Sequence, residues 1–139
     1  MTINYFKKKL KDRISKGGGL CEVEISLNLL FHGLQLDDIC NLRVCDVIDA
    51  HWGPRQQIRK LHFVIPSDLK IWIARYMESR ITVALYTMED RLLPNYPSPI
   101  KLAQQLEDHG FIPEEVIALG QQCYQEHLDK FRLPLRLEI

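Results

Sequence analysis

The chain is 139 residues and 16.3 kDa, with 46% hydrophobic and 26% charged residues, a size and composition that suit one domain with its own core. Eighteen Lys+Arg balance eighteen Asp+Glu at a pI near 7.0, which excludes a histone-like polycation, and the apolar content excludes wholesale disorder. No apolar run approaches the about 20 residues of a membrane span, and no secretory apolar region follows the lysine-rich start, so the sequence points to a cytoplasmic chain without a membrane partner.

The charge balance is uneven along the chain. Residues 1–19 carry six basic side chains against Asp12 alone, a net of +5. Residues 20–85 hold seven basic and eight acidic side chains, net −1, and residues 86–139 hold five and nine, net −4. A basic head on an acidic body reads either as a phosphate-steering surface or as a solvated helix end.

In chain order, Tyr5, Phe6, Leu10 and Ile14 recur near helical spacing with the lysines opposite, which predicts an amphipathic helix over 3–16. Gly17-Gly18-Gly19 breaks it and suggests a hinge. Val23, Ile25, Leu27, Leu29 and Leu30 form an apolar run that reads as a strand at its front and as a buried helix further on, closed by His32-Gly33. A short helix follows, with Asp37 and Asp38 in its first turn and Leu36, Ile39, Cys40 and Leu42 facing inward. Residues 43–48 lead out toward extended structure. Trp52-Gly53-Pro54-Arg55 is a turn, and Ile58, Leu61, Phe63 and Ile65 predict a strand over 57–65 paired near 44–50.

Pro66-Ser67-Asp68 starts the next helix, capped by Ser67 or Asp68, with Leu69, Ile71-Trp72, Ile73, Tyr76 and Met77 as its apolar face; Trp72 and Tyr76 are read as core. Residues 81–88 fit a helix end or a strand equally. The prolines of 93–99 make that stretch a loop. Two further helices are predicted at 99–109, with Gly110 as C-cap, and at 113–131, opening on Pro113 and Glu114-Glu115. Residues 133–139 alternate like an edge strand or docking tail. The expected fold is mainly α with a small antiparallel β-sheet (α+β). It comprises a basic N-terminal helical arm at 1–19 with a glycine-rich hinge and a single globular domain at 20–139.

The segment Phe31 to Val47, through Gly33, Leu34, Asp38, Leu42, Arg43, Asp46 and Val47, resembles the first signature box of the tyrosine recombinases (phage integrases). The order of features continues with a turn and strand at 52–65, Ile65-Pro66-Ser67-Asp68-Leu69 as a helix entry, and Leu93-Pro94-Asn95 followed by Pro99-Ile100. The resemblance covers about residues 20–110 and implies a partial recombinase-like catalytic core. It also implies a chemistry whose residues are missing. In that family a tyrosine attacks DNA while two arginines, a lysine and histidines hold the phosphate. Gln35 stands at the first arginine position, where a neutral amide cannot supply a permanently charged, bidentate clamp. Lys60 matches the hairpin lysine. His127 to Arg132 has the wrong spacing for a histidine-x-x-arginine box, and Tyr124 lacks the context of a nucleophile. No catalytic residue is therefore assigned, and no enzyme activity is expected.

Other chemistry is thin. Cys21, Cys40, Cys45 and Cys123 lack paired metal spacing and are read as packing or surface thiols; Glu107-Asp108-His109 is read as a solvated helix end. Neither a metal nor a cofactor is expected. The candidate DNA-binding residues are Lys7, Lys8, Lys9, Lys11 and Arg13 in the head, with Arg43, Arg55, Arg59 and Lys60 beyond it. The leading expectation is a catalytically inactive, recombinase-like factor that binds double-stranded DNA or regulates, of the kind a mobile element carries. The alternative is a protein-interaction adaptor that kept the fold and lost DNA contact, meeting a partner or a second copy through its acidic C-terminal segment. A live strand-transferase using an unrecognised tyrosine is the third.

Overall fold

A computed structural model describes residues 2–17, 22–52, 57–58, 61, 63–83 and 87–137. In chain order the elements are α1 (Ile3–Gly17), α2 (Glu22–Phe31), α3 (Leu36–Asn41), α4 (Val44–Trp52), β1 (Gln57–Ile58), β2 (Phe63–Val64), α5 (Ser67–Val83), α6 (Pro99–Asp108) and α7 (Pro113–Leu137). Among the described residues the fold is mainly helical with one two-stranded antiparallel pair, in which Ile58 faces Phe63. No helix among the described residues is long and apolar enough to cross a membrane.

The strand-or-helix ambiguity at 22–31 resolves as helix. Every residue of α2 from Val23 to Phe31 is buried, so it has no polar stripe, and a 3.6-residue period cannot show in its sequence. Its polar side chains are satisfied close by. Ser26 Oγ donates to the Glu22 carbonyl at 2.6 Å, Asn28 Nδ2 to the Glu24 carbonyl at 2.9 Å, and Glu24 pairs with Arg13 of α1 at 3.3 Å. Helices α1, α3, α5, α6 and α7 all contact α2. The helix ends at Gly33, whose φ of +113° carries the turn; Gly33 N–H donates to the Leu30 carbonyl at 3.1 Å and Leu34 N–H to that of Leu29 at 3.2 Å. At the opposite end, Asn95 of the proline loop donates twice to the Glu22 carboxylate, at 2.7 and 3.3 Å.

Helices α7 and α2 approach each other closely. A Cβ added to Gly120 would fall 1.8 Å from the Leu30 carbonyl oxygen, so glycine is what lets the two backbones meet. Around the same corner, a Cβ on Gly33 would fall 2.6 Å from Tyr124 Cβ.

Three readings are corrected. Residues 44–52 are helix rather than extended chain: the Asp46 carboxylate accepts the Arg43 N–H at 2.8 Å, an end-capping bond that outweighs the β-branched composition, and Val44 and Val47 turn into the core. The strand at 57–65 pairs with itself as β1–β2. The chain before α4 pairs instead with 88–92, through Val44 N–H to Asp90 O at 2.9 Å and Leu92 N–H to Leu42 O at 2.8 Å. Finally, 133–137 continue α7 in place of an edge strand.

Elsewhere the expectations hold. α1, α3 and α6 form where read, residues 93–98 are a loop, and Gly110 follows the end of α6. The cap of α5 is a further correction: the helix starts at Ser67, so Ser67 and Asp68 lie inside its first turn and Pro66, ahead of them, supplies the carbonyl that accepts from Leu69 and Lys70. Of the turn read at 52–55, Trp52 instead ends α4, while Gly53, Pro54 and Arg55, like Gly18, Gly19 and residues 84–86, lie outside the described residues.

Helix α1 exposes Lys7, Lys8 and Lys11 but is packed into the core through Phe6 and Leu10. Phe6 stacks on Phe31 at 4.8 Å and meets the edge of Phe111 at 5.9 Å. Two substitutions test this packing by urea unfolding. Phe6→Ala should cost about 3–5 kcal/mol, whereas a loss below ~0.5 kcal/mol would put α1 outside the cooperative unit. Gly120→Ala should cost about 1–3 kcal/mol by forcing α7 off α2.

Candidate functional site

Helices α1, α2 and α5 line a groove of about 520 Å³. Its floor is apolar, made by Phe6 and Leu10 of α1 and Phe31 of α2. From α5, Ile71 and Trp72 form the other wall; Ile71 is 62% exposed and Trp72 is half-buried. The rim is cationic. Lys7 and Lys11 stand one turn apart on α1, with Lys7 Nζ 5.9 Å from the Phe31 ring, and Arg75 lies over Trp72 at 5.1 Å. Asp68 is the acid among the lining residues.

At the end of α2, His32 closes the floor. Its Nδ1 is 2.7 Å from the Asn28 carbonyl, which can only accept, so Nδ1 carries the proton and Nε2 is the basic nitrogen. Burial holds the imidazole below its ordinary value of 6.5. The Asn28 hydrogen bond and Asp68 pull the other way, while Lys7 and His127 push further down. His32 is thus neutral near pH 7, and the charge of the groove is that of its two lysines and one arginine against one carboxylate.

The candidate DNA residues divide sharply. Lys7 and Lys11 line the groove, and Lys8 is exposed beside them on α1. Lys9 is engaged internally, donating to the Gly110 carbonyl and standing 4.5 Å over the Phe111 ring. Arg13 is paired with the nearly buried Glu24. Arg43 pairs with Glu89 at 3.0 Å at the α3–α4 junction. Arg55, Arg59 and Lys60 lie outside the described residues.

Arg75, Trp72, Ile71 and Asp68 escaped the sequence reading, although a signal was present. Leu69, Ile73, Tyr76 and Met77 already complete the core-facing stripe of α5, which leaves Ile71-Trp72 as apolar surplus on another face. Trp72, read as core, is therefore a wall of the groove.

Residues tied to strand cleavage in the recombinase resemblance have other work here. Gln35 is exposed at the start of α3, where its N–H donates to Asp38 at 3.3 Å. Tyr124 stacks on Phe63 at 4.7 Å, and its hydroxyl accepts the Val64 N–H at 3.2 Å, tying α7 to the β pair. Burial raises the thiols of Cys40 and Cys123, helped by Asp37 and Glu126 respectively, which disfavours the nucleophilic thiolate. Among the described residues no group of three His, Cys, Asp or Glu side chains is placed to hold a metal.

The depressed His32 pKa sets a direction for stability. The unfolded chain takes up this proton near 6.5 and the folded chain only at lower pH, so the contribution is complete above 6.5 and is lost as pH falls through the folded value. Urea midpoints should therefore drop between about pH 7.5 and pH 5.5 more steeply in the native protein than in His32→Gln. Equal slopes would show that His32 is not held neutral by the fold.

Compared with known proteins, the chain matches no family model, no curated protein and no solved structure. What the groove can bind follows from its own charge and shape.

Proposed function

We propose that the chain is a non-catalytic, tyrosine-recombinase-like binding factor that contacts double-stranded DNA or regulates a process on it, of the kind carried by a mobile element. The observation that carries this reading is the meeting of Lys7 and Lys11 with Arg75, from helices far apart in sequence, on one concave face of a chain whose overall charge is zero. Exposed Lys8 extends that face along α1. Cations arranged along a helix and across a groove suit a phosphate backbone, which they neutralise with release of counterions. The neutral, exposed Gln35 and the engaged hydroxyl of Tyr124 support a binding role over a phosphoryl-transfer role.

A second reading, a protein-interaction module, is favoured by a separate observation. Ile71 and the partly exposed face of Trp72 give the groove an apolar wall that a phosphate backbone does not use.

Gel shifts on duplex DNA test the first reading. Binding should weaken steeply between about 50 and 200 mM salt, and the triple variant Lys7→Glu, Lys8→Glu, Lys11→Glu should lower the log–log salt slope by about one for each lost phosphate contact. Failure to shift DNA even at the lowest salt would end the DNA reading.

A further inference from the structure

We infer that the α1–α2–α5 groove is a docking site for a short amphipathic helix of another protein, one that presents an apolar stripe flanked by acidic side chains. This deepens the interaction-module reading and rests on it.

Three features select that occupant. The first is shape: the groove runs between two helices, along about one turn of α1 marked by Lys7 and Lys11 and about two turns of α5 marked by Asp68, Ile71, Trp72 and Arg75. A helix laid in such a groove meets it with residues spaced i, i+3, i+4 and i+7. The second is the floor. Phe6 and Phe31 are already stacked and nearly inaccessible, whereas Ile71 remains 62% exposed and Trp72 half-buried beside it. An apolar side chain entering there would cover Ile71 and the free part of the indole, the type of aromatic anchor on which interface energy concentrates.

The third feature is charge. Two lysines and an arginine rim the apolar surface, with Asp68 as the single acid among the described lining residues and His32 neutral. Carboxylates on either side of an apolar stripe complement this rim, and a basic helix would be repelled. The lysine stems add apolar wall while their ammonium groups stay in water. Duplex DNA complements the rim but leaves Ile71 and Trp72 uncovered.

Selection from a phage library of randomised peptides of about 12 residues, long enough for the two turns, provides the test when combined with fluorescence anisotropy on the selected peptides and the full chain. Enriched sequences should carry Leu, Phe or Trp at helical spacing with Glu or Asp between them. Their affinity should fall about tenfold or more in Ile71→Glu and in the Lys7→Glu, Arg75→Glu double variant, and should weaken with salt. Ile71 is exposed, so its replacement leaves the fold intact, and matched circular dichroism and urea midpoints confirm this for each variant. Enriched peptides whose binding ignores these substitutions would overturn the groove assignment while leaving an interaction module standing. Absence of any enrichment would overturn both. Sedimentation showing a dimer that Ile71→Glu dissociates would make a second copy the occupant and overturn the proposal. Duplex DNA bound in an Ile71-dependent way, with no peptide retained, would do the same.

Discussion

Helix α2 has no face for water, and the rest of the molecule is arranged around that constraint. A helix buried on every side must be enclosed by others, and here α1, α3, α5, α6 and α7 supply the enclosure. The covering helices have to come close, which Gly120 permits by removing the side chain that would strike the Leu30 carbonyl. They also have to neutralise what α2 buries, which Arg13 does for Glu24. A basic residue of the head is thus spent on the core, and so is Lys9 at the end of α6.

The groove is the place where the enclosure stops short. Helices α1 and α5 flank Phe31 of α2 across the opening, and Lys7, Lys11 and Arg75 stand at its rim. The charged head and the candidate site overlap only in part. Lys7 and Lys11 belong to both, whereas Lys9 and Arg13 are structural, and Arg75 joins the site from an element whose sequence advertises nothing basic as a cluster.

How much was legible in the sequence follows the same logic. Amphipathic or capped segments such as α1, α3 and α6 could be read directly, because period, turn residues or terminal carboxylates mark them. Helix α2 could not, since burial on all sides erases the period. Helix α4 was obscured by β-branched Val44, Val47 and Ile48, and the spacing from Arg43 to Asp46 was the local sign of its start. The site was half legible. Its lysines stand together in the chain, but Trp72 and Ile71 look like core from composition, and only three-dimensional packing shows that Leu69, Ile73, Tyr76 and Met77 leave Ile71 exposed and Trp72 at the margin of the core. Whether a lysine faces solvent or a carbonyl 101 residues away, as Lys9 does, is not written locally at all.

That last contact has a kinetic side. The first helix of the chain finds its partners at two very different distances: Phe31 follows closely, but Gly110 and Phe111 come 101 or more residues after Lys9. A contact of such sequence separation pays the loop-closure entropy of most of the chain and forms late. Until the α6–α7 corner is in place to receive it, α1 lacks part of the cover for Phe6, on one side of a cationic helix. The lysines of that helix then act before any ligand does, by keeping a partly uncovered amphipathic helix apart from its copies through like charge.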